Sequence, residues 1–311
     1  MILNQDNILA VADSMFVAWD DVLKAAVPKF REWCTVLDSK DVETMNYNWL
    51  EDLAGVRKWI GERQLGTLEA FTWPVKNEPY EKTIGLKTED IRRDRYGQFE
   101  MKVRNMLLMA QAKWERLAEQ ACLDLHTTLG YDGQYFVDTD HTIAGATVAN
   151  LDTLPLTSDN LYTALQYFDE LKMPNGSDPM DITPKFLIYG PSNRAAVDAI
   201  LKDSKRPGEF GDNPHKDRLI PVLNKAFVGA YAKYWQIHAE SPGGLLRPIA
   251  VQIEMEPEMT TTAFQVAGEF SMTAVPERQF MAREILFGTE QWGKSTGTLW
   301  QLAWGSTGSG V

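Results

Sequence analysis

The stretch that decides the fold reads Tyr131-Asp132-Gly133-Gln134-Tyr135-Phe136-Val137-Asp138-Thr139-Asp140-His141. It follows a long helical pattern and precedes a mixed pattern of helices and strands, so it stands at the junction between two parts of the chain. The spacing of Asp138 and Asp140 is typical of a catalytic carboxylate pair. Aspartate and threonine also form turns in which their side chains bond the local backbone. We interpret the stretch as such a structural turn.

The helical pattern upstream of this stretch begins after Gly97 and runs to about Leu129 without an internal glycine or proline. One face of the predicted helix carries the apolar residues Phe99, Val103, Met106, Leu107, Ala110, Trp114, Leu117, Ala121, Cys122 and Leu125. Some 30 residues form a rod of roughly 45 Å, far longer than the mean globular helix of about 11–12 residues. We expect a spine that organises the fold, with its Met and Trp side chains in the core.

The first 87 residues contain two further patterns. Apolar residues recur at helical spacing from Asn7 to Phe30, and Pro28 closes this amphipathic arm. Between Leu65 and Lys87, two strand-like runs flank Lys76-Asn77-Glu78-Pro79, whose composition is typical of a turn. The pattern predicts a long β-hairpin with its tip at these four residues.

The residues after Gly130 predict alternating short helices and strands. The predicted helices cover 158–171, with Ser158 or Asp159 as the cap, and 194–201. The predicted strands cover 185–189, 219–223, 233–239, 249–255, 280–287 and 298–304. We find no internal repeat and no independent linker. The pattern as a whole predicts an α+β protein.

Composition limits the class of protein. The chain has 311 residues, 44% of them hydrophobic, and a formal charge of -12, so its surface offers no broad grip on nucleic acid. Cys34 and Cys122 lie far apart in the sequence, and we expect both to be reduced. No apolar run reaches about 18 residues, and the start lacks the basic region of a secretory signal. We expect a protein that is soluble and cytoplasmic when made.

Asp138 and Asp140 also permit an enzymatic interpretation. In haloacid-dehalogenase phosphohydrolases the first aspartate of such a motif is the nucleophile and the second is the acid/base beside magnesium. The segment 211–217 could supply a later metal motif. That motif should follow the opening strand of a parallel α/β domain, whereas here it follows a long helix and the repeated βα pattern is missing. We keep this metal-dependent phosphohydrolase as the alternative function.

Gly288-Thr289-Glu290-Gln291-Trp292-Gly293-Lys294-Ser295 matches the phosphate-loop formula letter by letter. A phosphate loop requires a helix that begins at the Lys-Ser pair, yet Thr296-Gly297 follows and few residues remain. We predict a turn between two strands instead. The four histidines, His126, His141, His215 and His238, are not spaced as a zinc site. We therefore expect no catalytic, cofactor or metal residues.

The chain resembles the Mu-like phage major head subunit family. The residues that carry the resemblance are Trp49-Leu50, Arg57, Trp59–Arg63, Tyr80–Leu86, Asp90-Ile91, Asp94, the Tyr131–His141 stretch, Gly297, Trp300–Ala303 and Gly305-Ser306. The resemblance implies the fold of tailed-phage major capsid proteins, of the Hong Kong 97 type. The sequence follows the family pattern only loosely between Gly211 and Tyr231.

The resemblance also implies a division into segments. These are an N-terminal arm (1–45), a peripheral-domain segment (46–64), an extended loop hairpin (65–88), a peripheral domain with the spine helix (89–129), an axial domain (130–255), and peripheral-domain strands with the C-terminal tail (256–311).

The implied function is a major capsid protein that self-assembles through pentamers and hexamers into an icosahedral head around double-stranded DNA. A hairpin of about ten residues per strand reaches some 30 Å, enough to lie on a neighbouring copy. The residues predicted to contact neighbours are Trp73, Pro74, Lys76, Asn77, Glu78, Tyr80, Trp19 and Phe16. Implied partners are further copies, a portal protein, scaffold and decoration proteins, and DNA held without sequence specificity. No membrane partner is expected, and the implied location is the virion capsid.

Overall fold

The computed structural model describes residues 16–22, 28–40, 42–47, 73–87, 98–173, 176, 178–205, 212–261, 264–266, 269–271 and 284–310. The helices are α1 (16–22), α2 (Phe30–Trp33), α3 (Gln98–Asp124), α4 (Ser158–Glu170) and α5 (Arg194–Leu201). Helices and strands are mixed along the chain, so the predicted α+β class is confirmed.

The first sheet has four strands in the order β1 (Thr35–Asp38), β11 (Ile249–Thr261), β14 (Glu284–Gly297) and β4 (Glu78–Lys87). The pair β1–β11 is parallel and the other two pairs are antiparallel. Helix α3 lies across this sheet. A side chain at Gly293 would come within 2.7 Å of the Trp114 ring, so the glycine allows the close approach of helix and strand.

The second sheet has five strands in the order β7 (Leu151–Asp152), β15 (Ala303–Ser306), β10 (Trp235–Glu240), β8 (Thr183–Tyr189) and β9 (Ile220–Leu223). Helix α4 packs against β8. Three small antiparallel pairs complete the described strands: β2 (Thr44–Tyr47) with β3 (Trp73–Lys76), β5 (His141–Ile143) with β6 (Ala146–Val148), and β12 (Phe264–Val266) with β13 (Glu269–Ser271).

The predicted spine helix is confirmed as α3, which has 27 residues and is followed by a turn. Its buried face carries Val103, Met106, Leu107, Ala110, Trp114, Ala118, Ala121 and Cys122. The second half of this face shares one hydrophobic core with α2, α4, α5 and strands from both sheets. The helix therefore holds the two sheets in one packed body.

The predicted hairpin between residues 65 and 87 is wrong for the strands that the structure describes. β3 pairs with β2, and β4 pairs with β14 over its full length, from Glu78 opposite Gly293 to Lys87 opposite Glu284. Asn77, the predicted tip, is 3% exposed. The turn-like composition is a local signal, whereas the true partner strand lies about 200 residues further along the chain. Residues 65–72 lie outside the described residues.

The tail also differs from prediction. Residues 288–295, predicted as a turn, lie inside the continuous strand β14. Residues 298–304, predicted as one strand, form a 3₁₀ turn at Trp300–Leu302 and the start of β15, which joins the five-stranded sheet.

The cap of α4 is Thr157, whose hydroxyl accepts a hydrogen bond from the amide of Asn160, and the predicted Ser158 or Asp159 cap is wrong. Of the predicted arm helix from Asn7 to Phe30, residues 16–22 are helical, 7–15 and 23–27 lie outside the described residues, and Phe30 belongs to the separate helix α2.

Candidate functional site

The Asp138 turn lies between the end of α3 and the strand β5. The Asp138 carboxylate accepts hydrogen bonds from the amide of Thr139 at 2.8 Å and from that of Tyr135 at 3.2 Å. Its own amide donates to the side-chain oxygen of Asn150 at 2.7 Å. The interpretation as a turn that bonds its own backbone is therefore confirmed.

Asn150 joins this turn to the C-terminal strand. Its buried side-chain amide nitrogen faces three carbonyl oxygens, those of Phe136 at 2.8 Å, Ala303 at 3.0 Å and Trp300 at 3.1 Å. A buried amide that meets several carbonyls is fixed in place, because each lost bond would leave a buried polar atom unpaired. Asn150 thus fixes the 131–141 segment against β15.

Two further polar contacts secure the same segment. Nδ1 of His141 lies 2.6 Å from Oδ2 of Asp132, and the His141 ring stacks on Trp300. The side-chain amide of Gln301 donates to the hydroxyl of Tyr131 at 2.6 Å. Burial is the main cause that raises the pKa of the Tyr131 hydroxyl. The segment therefore has a structural role, and its titratable side chains form hydrogen bonds within the protein.

The other side of the segment contacts the four-stranded sheet. The ring of Trp73 meets Phe136 edge-on, with 5.6 Å between centroids, and its indole N–H donates to the hydroxyl of Thr296 at 3.0 Å. A side chain at Gly297 would come within 2.9 Å of the Phe136 ring. Residues 131–141 therefore tie the end of the spine helix to both sheets, and we call them the junction segment.

A second set of polar contacts joins the end of the helix to the five-stranded sheet, with Gln236 and His238 fully buried and His126 partly buried. The side-chain amide of Gln236 donates to the carbonyl of Cys122 at 2.8 Å and to Nε2 of His126 at 3.0 Å. Nε2 of His238 lies 3.0 Å from the side-chain oxygen of Gln236. Burial lowers the pKa of His126 to about 4 and that of His238 to about 3, so both imidazoles are neutral at pH 7.

The geometry at Asp138 and Asp140 does not match the phosphohydrolase arrangement. The two residues precede an antiparallel hairpin and do not follow a parallel strand. Within the described residues, no three side chains of His, Cys, Asp or Glu come together as a possible metal site. The phosphate-loop formula at 288–295 lies in an extended strand without a following helix.

Cys34 and Cys122 are free thiols, and burial raises the pKa of both.

The predicted contact residues fall into three groups by exposure. Asn77 and Trp19 are buried within their own chain, while Trp73, Tyr80 and Phe16 are half-buried. Pro74, Lys76 and Glu78 are exposed. Lys76 forms an ion pair with Glu43 at 3.0 Å, and Glu78 forms one with Lys294 at 2.8 Å.

Asn77 has a structural role that the sequence did not indicate. Its amide nitrogen donates to the hydroxyl of Ser39 and to the carbonyl of Val42, both at 3.0 Å. Its side-chain oxygen accepts from Gln252 at 2.6 Å, and Gln252 in turn accepts from the hydroxyl of Tyr47 at 2.7 Å. These bonds join the link between β3 and β4 to β11 and to the segment between β1 and β2, and a turn-like composition does not indicate them.

Among the described residues, no helix is long and apolar enough to cross a membrane.

The architecture is shared with solved phage capsid chains. A chain from the procapsid of bacteriophage JBD30 superposes with a TM-score of 0.57 at 21% identity, covering 98% of this chain and 76% of that chain. A chain from the JBD30 capsid decorated with minor capsid protein trimers gives a TM-score of 0.52 at 18% identity, covering 64% and 91%. The fold is therefore that of the tailed-phage major capsid proteins.

The sequence comparison narrows this class. Residues 8–154 match the family model described as the Mu-like prophage major head subunit gpT. The Mu-like prophage FluMu major head subunit of Haemophilus influenzae is 30% identical over 132 residues, which are 42% of this chain and 41% of that protein. The major capsid protein of Escherichia phage Mu is 23% identical over 171 residues, 54% of this chain and 56% of that protein. The resemblance to the Mu-like head subunits is confirmed, and the matched stretches span about half the length of these relatives.

Proposed function

We propose that this chain is the major subunit of a phage head. Copies would join in pentamers and hexamers, and these rings would close into an icosahedral shell around double-stranded DNA. The observation that carries the proposal is the architecture itself, a spine helix that connects a four-stranded and a five-stranded sheet. It matches a procapsid chain over 98% of this chain's length.

The junction segment supports this function physically. A subunit that closes rings and shells must hold its contact surfaces at fixed angles, because heterologous contacts close only when the rotation between copies is right. The contacts of Asn150, His141 and Trp73 fix the spine helix relative to both sheets. Each subunit can then act as one rigid piece, while its loops adjust to rings of five or six.

The two sheets correspond to the two proposed domains. The four-stranded sheet with α3 would be the peripheral domain, and the five-stranded sheet with α4 and α5 the axial domain. The boundaries inferred from the resemblance, at residues 45, 64, 88, 129 and 255, remain proposals. We propose two adjustments to them: β11, which belongs to the four-stranded sheet, would go with the peripheral domain, and residues 303–306, which pair with β10, would go with the axial domain.

Other partners are proposed from the class of protein. A shell of this kind needs a portal for DNA entry and a scaffold or decoration protein, and the JBD30 relative carries minor capsid protein trimers. The formal charge of -12 makes a strong grip on DNA unfavourable, so any DNA contact would be non-specific.

The direct test is negative-stain electron microscopy of the purified chain. We expect rings or closed shells at raised protein concentration, because many weak contacts add up when copies surround one another. A dispersed species of 35.1 kDa under every assembly condition would contradict the proposal.

We also propose that the chain has no phosphohydrolase activity. The substitutions Asp138→Asn and Asp140→Asn should leave the phosphate release measured with magnesium at the level of the parent protein. Release by the parent that disappears in both variants would revive the alternative function.

A further inference from the structure

One exposed loop is uncharged although the chain is 24% charged. Residues 226–232 read Ala-Phe-Val-Gly-Ala-Tyr-Ala and connect edge strand β9 to the central strand β10. Val228 is 55% exposed and Tyr231 is 44% exposed. Lys225 and Lys233, both exposed, flank the loop, so it presents an apolar centre with a basic rim.

The loop is held in one conformation from inside the chain. Phe227 is fully buried, and the amide of Ala226 donates to the side chain of Asn224 at 2.7 Å. The side chain of Asn193 reaches the carbonyl of Lys233 at 3.1 Å, and Tyr231 packs edge-on against Tyr234 with 5.2 Å between ring centroids. A preformed loop loses little conformational entropy on binding, so its exposed apolar surface is well suited to a contact.

A complementary concave surface lies at the other edge of the same sheet. A groove of about 590 Å³ is bounded by the hairpin of β5 and β6, by edge strand β7 and by α4. Ile143, Ala146, Val148, Leu151, Tyr167 and Trp304 contribute to its lining. The hairpin residues 142–149 are all uncharged. This groove is therefore apolar at its centre, like the loop.

The rim of the groove has the opposite charge. Asp152 and Glu170 line the groove together with one cation, Lys172. Exposed Asp140 precedes the hairpin. Carboxylates thus outnumber ammonium groups on this rim, whereas the rim of the loop carries Lys225 and Lys233. Interfaces combine an apolar centre with a polar rim, and opposite rim charges select the register between partners.

The positions of the two surfaces determine what kind of contact they can form. β7 is one edge strand of the five-stranded sheet, whereas the loop runs from the other edge strand, β9, past Gly190 after β8 to the central strand β10. The loop and the groove are different surfaces of the chain, so one copy can offer its loop to one neighbour and its groove to another. They form a head-to-tail contact, which closes into a ring when the rotation permits.

We infer that the 226–232 loop of one copy docks into the β5–β6 groove of the next copy, with Lys233 beside Glu170. This inference rests on the proposed function and identifies the partner as a second copy of this chain. Val228 and Tyr231 fill the apolar centre of the groove, and the contact repeats around each ring of five or six copies.

Crosslinking between two variants tests the contact directly. One batch carries Val228→Cys and the other Ala146→Cys, both at exposed positions, while the native Cys34 and Cys122 are buried. The batches are mixed, assembled into particles and treated with a short bis-maleimide. We expect a crosslinked dimer on a denaturing gel. The matched control pairs Ala146→Cys with Leu245→Cys, a residue that is 75% exposed outside the proposed contact, and should give no dimer.

A charge exchange tests the rim independently of the cysteines. Lys233→Glu should raise the concentration needed for assembly by about tenfold, and adding Glu170→Lys should restore most of the loss. Urea unfolding checks that each variant folds.

Particles without the crosslink, or without rescue by the second charge change, overturn the inference and leave the proposed function standing. If the parent chain forms no particles, both fail together.

Discussion

The imidazole of His141 lies nearly flat on the indole of Trp300, with 4.0 Å between ring centroids and 6° between ring planes. Both residues are buried, and they come from segments about 160 residues apart in the sequence. The stack joins the junction segment to the 3₁₀ turn that precedes β15. This stack is one reason why the Tyr131–His141 stretch has a structural role.

The first prediction concerns this stack. His141→Ala should lower the free energy of unfolding by about 3 kcal/mol, because it removes a packed ring and the hydrogen bond to Oδ2 of Asp132. Urea denaturation measures the change. Thr142→Ala, at the exposed neighbouring position, is the control and should change stability by less than about 0.5 kcal/mol. Equal effects of the two substitutions would show that the stack does not stabilise the junction.

The second prediction tests the buried position of Asn77. Asn77→Leu should lower the free energy of unfolding by about 2–3 kcal/mol, since Ser39, Val42 and Gln252 each lose their hydrogen bond to the buried Asn77 side chain. Lys76→Ala next to it removes only an exposed ion pair and should cost less than about 1 kcal/mol. If Asn77→Leu is as mild as Lys76→Ala, Asn77 is a solvated turn residue after all.

The third prediction is a dependence of stability on pH. His126 and His238 have folded pKa values of about 4 and about 3, against 6.5 in the unfolded chain. Between the folded and unfolded pKa values the unfolded state binds more protons. The stabilisation by each neutral histidine is therefore complete above about pH 6.5 and is lost as pH falls toward 4 for His126 and toward 3 for His238. Each histidine lowers the free energy of unfolding by at most about 1.4 kcal/mol for each unit by which the pH falls in this range.

The measurement compares the parent with His126→Gln by urea unfolding at pH 7 and pH 5. Burial raises the pKa of Glu115 and Glu119, which stabilises the fold as pH falls, so only the difference between the two proteins isolates the histidine. The variant should lose less stability on acidification. An unchanged pH dependence would mean that His126 is not buried in its neutral form.

The fourth prediction separates stability from assembly at neighbouring residues. Pro74→Asp changes an exposed residue, so its free energy of unfolding should stay within about 1 kcal/mol of the parent value. Particle formation should nevertheless fall. Trp73→Asp should destabilise the subunit itself, because the ring packs on Phe136 and donates to Thr296. Normal particles from Pro74→Asp would remove this residue from the proposed contacts.

Helical periodicity was sufficient to predict the spine helix. Val103, Met106, Leu107 and Trp114 recur at the spacing of one helical face, and the structure buries all four. Such a pattern depends on neighbours three or four residues away, so it is visible in the sequence.

Strand pairing was not predictable in the same way. The partner of Glu78–Lys87 is the distant β14, and no local signal specifies that pairing. β14 itself contains Gly288, Gly293 and Gly297, which predict a turn. In the structure these glycines make room for neighbouring side chains, such as the Trp114 ring against Gly293 and the Phe136 ring against Gly297. Tertiary contact therefore determined their role.

Native mass spectrometry of the purified chain at assembly concentrations shows whether copies of the subunit join in rings. The proposed function predicts species with the mass of five and six copies of the 35.1 kDa subunit, together with larger assemblies. A single species with the mass of one copy, under conditions where the chain is folded, would contradict it.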